Sequence, residues 1–104
     1  RAAHYRPDAR VIPVKPGENL AQLAQAEAAR GKRVGVVVVG DQELPTLVDL
    51  VVVINGGSAE YGRRLYEIFR LADSRKIEYL FMEIPEETGL GVAVADRIYE
   101  AARR

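Results

Sequence analysis

Two glycine-containing loops are the places in this sequence where a phosphate could be held. One loop carries Gly56, Gly57 and Ser58 and the other carries Gly89 and Gly91, and each opens a helix-like segment. Free backbone N–H groups at a helix N-terminus attract phosphates. Neither loop completes a known motif, because no Walker lysine follows the first and the third glycine of a dinucleotide loop is absent from the second. They stay phosphate-loop candidates, against the simpler explanation that these glycines only allow tight turns.

The other residues able to do chemistry do not form a catalytic set. His4 is the only histidine and the chain has no cysteine, so no metal site is expected. Asn55 ends the third predicted strand, where a phosphate-accepting receiver domain needs an aspartate. We find neither paired catalytic carboxylates nor a nucleophile beside a base, and the sequence therefore predicts no catalytic residue. Composition alone makes His4, followed by Tyr5, an exposed residue of a leading segment.

Length and charge narrow the class of protein. A chain of 104 residues is one domain in size, and 15 basic against 15 acidic side chains leave no net field to hold a nucleic acid. The longest apolar run, Val34–Val39, is far shorter than the ~20 residues of a membrane span. No signal-peptide layout is present and the chain starts at Arg1, so we expect a cytoplasmic protein with a further segment upstream.

Strand-like and helix-like segments alternate along the chain. The predicted strands are Arg10–Val14, Arg33–Val39, Leu50–Ile54 and Glu78–Ile84. The first predicted helix is Leu20–Ala29, with the core face Leu20, Leu23, Ala24 and Ala28, and a short second one covers Leu44–Val48. A third helix is capped by Ser58 and has the apolar stripe Leu65, Ile68, Phe69 and Ala72. The last helix has the apolar stripe Val94, Ala95, Ile98 and Ala102. The order is β-α-β-(α)-β-α-β-α.

The second strand determines the fold class. Its four consecutive valines, Val36–Val39, leave no polar face for water, which is typical of a parallel sheet covered on both sides. We therefore predict a Rossmann-like three-layer α/β/α domain with a mostly parallel sheet of about four strands. Residues 1–8 are polar and are predicted to be a linker, and residues 9–104 form the domain. Ligands of such sheets usually bind beyond the carboxyl ends of the strands, where both glycine loops are placed.

Three segments resemble one family. His4-Tyr5-Arg6-Pro7, followed by the strand Ala9–Val14, is similar to the interdomain linker of long threonylcarbamoyl-AMP synthases, which reads histidine, tyrosine, a small residue and proline. Arg63–Asp73 is similar to a family helix with a leucine-arginine stretch followed by an aspartate, and Gly89–Ile98 to its closing glycine-leucine-glycine segment. In order and coverage the chain resembles the C-terminal domain of the two-domain L-threonylcarbamoyladenylate synthases of the YrdC/Sua family. It departs from them at Ala2, Ala3 and Tyr66.

The resemblance implies a parent enzyme that joins L-threonine, bicarbonate and ATP, with magnesium, into threonylcarbamoyl-AMP and pyrophosphate for the t6A modification of tRNA. Its chemistry is expected in an N-terminal YrdC-like domain, which would be this chain's own partner, so the chain itself is expected to hold no cofactor. In the family the linker passes over the catalytic cavity. The resemblance therefore makes His4 and Tyr5 the residues nearest the chemistry.

Two other functions remain open from the residues alone. A free-standing nucleotide-binding module would use the loop from Asn55 to Ser58 and the loop from Gly89 to Gly91. A structural or dimerising module would use an exposed edge strand or helix face.

Overall fold

In the computed structural model, which describes residues 5–103, four strands and three helices alternate along the described chain. They are β1 (Arg10–Val14), α1 (Leu20–Ala29), β2 (Val34–Val39), β3 (Leu50–Ile54), α2 (Gly57–Ser74), β4 (Tyr79–Glu83) and α3 (Leu90–Ala102). No described helix is both long enough and apolar enough to cross a membrane.

The strands form one sheet in the order β1-β4-β2-β3, and every neighbouring pair runs parallel. Val36 of β2 lies between Phe81 of β4 and Val51 of β3, which places the valine-rich strand inside the sheet. The residues of β2 from Val34 to Val38 are buried. The predicted α/β class and the sheet of about four strands are confirmed, because a run of valines with no polar face is stable only between two covering layers.

Helices cover both faces of the sheet. On one face α2 and α3 contribute Tyr61, Phe69 and Ile98 to a large core cluster, together with Leu80 and Met82 of the central strand β4. On the other face α1 packs on the sheet through two buried residues of its own. That smaller cluster contains Val14, Leu20, Ala24, Val34, Val36, Val38 and Phe81. The domain therefore has three layers, with two helices on one side and one on the other.

Local signals place the ends of α1 where the sequence predicts them. The Asn19 side chain accepts a hydrogen bond from the Gln22 N–H at 3.0 Å and so caps the first turn. After the helix, Gly31 adopts a φ of +84°, a conformation that glycine reaches at little cost.

Three local predictions are wrong. Residues 44–48 form no helix: the segment contains Pro45 and is too short to repay helix nucleation. Ser58 is not the N-cap of α2, which is Gly56. Leu23, predicted to face the core, is 41% exposed. In α3 the predicted stripe faces the core: Ala102 is partly buried and packs against the large core cluster, beside the buried Ala101.

Candidate functional site

The carboxyl edge of the parallel sheet gathers the loops that follow its four strands, and both predicted glycine loops are among them. The N-terminus of α2 is already filled there by a side chain of the same helix. One oxygen of Glu60, Oε1, accepts the N–H of Gly56 at 2.5 Å and that of Asn55 at 3.1 Å. Its other oxygen, Oε2, receives Arg64 Nη1 at 3.1 Å. Glu60 therefore occupies the position in which a phosphate would accept these N–H groups.

The charge of Glu60 is favoured in this position. The hydrogen bond from the Gly56 backbone, opposed by partial burial and assisted by Arg64, lowers the pKa of the Glu60 carboxyl. It is therefore ionised at neutral pH, as the positive end of a helix dipole favours. A phosphate at Gly56 and Gly57 would have to displace a carboxylate that is already bound.

The second glycine loop packs against the first. A methyl group on Gly91 would lie 3.2 Å from the Ser58 hydroxyl oxygen and 1.8 Å from the carbonyl oxygen of Glu86. The N–H of Gly91 donates to the Thr88 carbonyl at 2.9 Å. Gly57 and Gly89 have positive φ angles of +70° and +54°. Close packing and turn geometry thus account for glycine at these positions without a ligand.

Acidic side chains dominate this edge. At this edge the loops that follow the strands, with the last residue of β4, carry Glu18, Asp41, Glu43, Glu83, Glu86 and Glu87 against a single lysine, Lys15. Asp49, at the far end of the loop after β2, lies at the opposite edge, where it accepts the N–H of Val34. A surface of one sign repels a ligand of the same sign. The electrostatics therefore weigh against a nucleotide phosphate here, although the phosphate-loop candidates stay untested predictions.

A shallow cleft of about 330 Å³ opens at the same edge, between the loop before α1 and the loop after β2. It is lined by Gly17, Glu18, Asn19, Leu20, Ala21, Gln42 and Glu43. Its charged lining residues, Glu18 and Glu43, are both acids. Within residues 5–103, no three histidine, cysteine or acidic side chains come close enough together to hold a metal ion.

The leading segment lies elsewhere, on the C-terminal part of α2. The hydroxyl of Tyr5 donates a hydrogen bond to Asp73 Oδ2. The other oxygen of that carboxylate, Oδ1, accepts the backbone N–H of Asp8 at 2.9 Å. The Tyr5 ring packs edge-on against Tyr66, with centroids 5.3 Å apart, and lies 6.4 Å from the Phe69 ring. Tyr5 is thus half-buried. His4, for which composition alone predicts an exposed position, lies outside the described residues.

The phenol of Tyr5 is held in its neutral, donating form. The hydrogen bond to Asp73, together with partial burial and the nearby negative charge, raises the pKa of Tyr5 to about 12. A second contact ties down the same segment, since Arg6 Nη2 reaches the Glu100 carbonyl of α3 at 3.5 Å.

Sequence reasoning missed Asp73 as a contact of the leading segment. It lies 68 positions from Tyr5 along the chain, so neither spacing nor periodicity relates the two residues. A signal for this contact is present in the sequence: Asp73 ends the family-like segment Arg63–Asp73, and the apolar periodicity of the helix does not explain an aspartate at that position.

The comparisons with known proteins agree on one family. A family model described as "Threonylcarbamoyl-AMP synthase, C-terminal domain" matches residues 1–103. The threonylcarbamoyl-AMP synthase of Pyrococcus abyssi is 31% identical over an alignment 104 positions long, which covers 95% of this chain and 29% of that enzyme. The chain therefore spans less than a third of the length of this relative.

Solved structures give the same result. Pyrococcus abyssi Sua5 complexed with L-threonine superposes with a TM-score of 0.80 at 30% identity, over 95% of this chain and 29% of that one. A variant of the same protein, in which a histidine and the following tyrosine are replaced by alanine, gives 0.78 at 30% identity over 94% and 29%. The separate C-terminal Sua5 domain from Pyrococcus horikoshii gives 0.67 at 30% identity, over 88% of this chain and 90% of that one.

The parallel four-stranded sheet and the three helices that cover it define an α/β domain of the three-layer class. The chain belongs to the family of threonylcarbamoyl-AMP synthase C-terminal domains.

Proposed function

We propose that this chain is the accessory C-terminal domain of a two-domain threonylcarbamoyl-AMP synthase. Residues 1–8 would form the interdomain linker and residues 9–104 the domain. The observation that carries the proposal is the match of the C-terminal family model over residues 1–103, together with an enzyme of that activity more than three times as long as the matched segment.

The parent reaction joins L-threonine, bicarbonate and ATP, with magnesium, into threonylcarbamoyl-AMP and pyrophosphate for t6A formation in the cytoplasm. The L-threonine complex of the Pyrococcus abyssi protein supports threonine as a substrate. Catalysis belongs to the N-terminal domain, which is the direct partner of this chain. The acidic carboxyl edge and the filled N-terminus of α2 support the view that the chain itself does not bind ATP.

His4 and Tyr5 act on the reaction by holding the linker near the catalytic cavity rather than by breaking bonds. Two observations support this. An adjacent histidine and tyrosine are the residues replaced in the Pyrococcus abyssi variant. In this chain Tyr5 is attached to α2 through its hydroxyl and its ring, which gives the linker a defined attachment point on this domain.

Pyrophosphate release by the full-length protein tests the proposal. Release should require both L-threonine and bicarbonate, and Tyr5→Ala should reduce it by about tenfold or more, because a misplaced covering segment is costly in rate. Tyr66→Phe is the matched control: it keeps the ring that packs on Tyr5 and should change the rate by less than about twofold.

Two results would contradict the proposal. One is a well-folded full-length protein that releases no pyrophosphate with all three substrates. The other is calorimetric binding of ATP by the separate 104-residue chain, which would favour the free-standing nucleotide module instead.

A further inference from the structure

We infer that Asp73 is a positioning residue of the parent reaction, which acts through Tyr5 to hold the interdomain linker at one place on α2. The inference rests on the proposed function, because it assigns to this chain the residue that anchors the proposed linker.

The attachment has two points. Both oxygens of the Asp73 carboxylate are used by the leading segment, Oδ2 by the Tyr5 hydroxyl and Oδ1 by the Asp8 N–H at 2.9 Å. A single hydrogen bond would let the segment pivot, whereas two bonds to one carboxylate fix its direction as well as its position. Bonds to an ionised acceptor are also stronger than neutral ones.

The surface beneath Tyr5 is rigid. Tyr66, Phe69 and Asp73 are spaced three and four residues apart, so they share one face of α2. Phe69 is fully buried in the larger core cluster, while its ring lies 6.4 Å from that of Tyr5. The guanidinium of Arg70 lies 5.7 Å from the centroid of the Tyr66 ring, and this cation–π contact helps to hold the ring in place. The point at which the linker is attached to α2 therefore moves together with the core of the domain.

The anchor lies outside the part of the molecule that holds the fold together. Tyr5 is only partly buried and packs at the border of the core cluster. Asp73 contributes no side chain to either core cluster. Loss of the Asp73 carboxylate should therefore leave the domain folded and release the segment that precedes β1.

A released linker should lower the rate rather than the affinity for substrate. Holding a covering segment in one geometry saves the entropy of ordering it in each catalytic cycle. That saving applies to the step after substrate has bound, so kcat should fall while the KM for L-threonine stays nearly constant.

The experiment is a double-mutant cycle in the full-length enzyme. Asp73→Ala and Tyr5→Phe should each lower kcat by roughly five- to tenfold, and the double variant should be no slower than the slower single one, because residues that act through one contact are not additive. Asp73→Asn, which keeps an oxygen for the Asp8 N–H, should recover part of the rate. Glu67→Ala is the matched control: it removes an exposed carboxylate of α2 that pairs with Arg64 at 3.2 Å, and its kcat should not change.

A second measurement reports on the contact itself in the 104-residue chain. The pKa of Tyr5 should fall from about 12 toward its ordinary value of 10.0 in Asp73→Ala, so near pH 11 an additional tyrosine should ionise in the variant. Ultraviolet absorbance follows the ionisation, and circular dichroism checks that both chains are folded at that pH.

Each outcome is decisive. A full-length wild type without pyrophosphate release overturns the proposed function. An active wild type in which Asp73→Ala is unchanged or faster, or in which the two single effects add, overturns the role of Asp73. An unaltered Tyr5 titration in Asp73→Ala overturns the contact on which that role depends.

Discussion

The substitution Gly91→Ala has two effects of opposite sign on the free energy of unfolding. Gly91 is the second residue of α3 and is buried. Replacing a glycine inside a helix by alanine normally stabilises the helix by about 1 kcal/mol. At this position the added methyl group would lie 1.8 Å from the Glu86 carbonyl oxygen and 3.2 Å from the Ser58 hydroxyl oxygen.

The clash should exceed the helix gain. Carbon and oxygen atoms in contact lie about 3.3 Å apart, so the Glu86 backbone must retreat by roughly 1.5 Å. Overpacking costs about 1–3 kcal/mol, and the upper end applies because backbone rather than a flexible side chain must move. The net loss in the free energy of unfolding is therefore about 2 kcal/mol, which lowers Tm by roughly 10 °C in a domain of this size.

Urea unfolding followed by circular dichroism measures this difference, with Gly62→Ala as the matched control. A methyl group on Gly62, inside α2, would approach only a side-chain atom, Val94 Cγ2, at 3.3 Å. Its free energy of unfolding should stay within about 1 kcal/mol of wild type. A Gly91→Ala chain as stable as wild type, or more stable, would refute the reasoning.

Two further predictions concern α2 and are also measured by urea unfolding. The pKa of Glu60 is lowered in the folded chain, so its ionised form stabilises the fold above the ordinary pKa of 4.5. This contribution is lost as the pH falls through the lower pKa of the folded chain. The difference in the free energy of unfolding between wild type and Glu60→Gln should therefore be largest near neutral pH and should disappear below pH 4.5. A gap independent of pH would contradict this. Tyr61→Phe removes a buried hydroxyl that donates to the Glu83 carbonyl at 2.8 Å, so the free energy of unfolding should fall by about 1 kcal/mol; no change would show that another donor replaces it.

Elements with strong periodicity or uniform burial were predictable from sequence. The bounds of α1, Leu20–Ala29, agree with the structure because Asn19 and Gly31 mark its ends by local chemistry. The strand over Val34–Val39 was predictable since only a parallel sheet covered on both faces accommodates it.

Contacts that depend on the conformation of a particular side chain were not predictable from the sequence. Ser58 has the residue type of an N-cap, yet the carboxylate of Glu60 serves the N–H groups of Asn55 and Gly56 instead. That outcome depends on the side-chain conformation of Glu60, which periodicity does not encode.

The docking of Tyr5 on Asp73 and Tyr66 likewise joins segments far apart in sequence. The family motifs named these residues separately without showing that they touch. The phosphate-loop candidates were chosen for their glycines and their place at the start of a helix, whereas the charge that argues against them appears only when the loops that follow the four strands are brought to one edge.

The sheet order also bears on how the protein is made. β1 pairs only with β4, which is the last strand of the domain to be synthesised. During translation β1 therefore leaves the ribosome without a hydrogen-bonding partner and waits until almost the whole domain has followed it. Contacts of such large sequence separation form slowly. The segment that precedes β1 is thus fixed late, after all but α3 of the domain has been made.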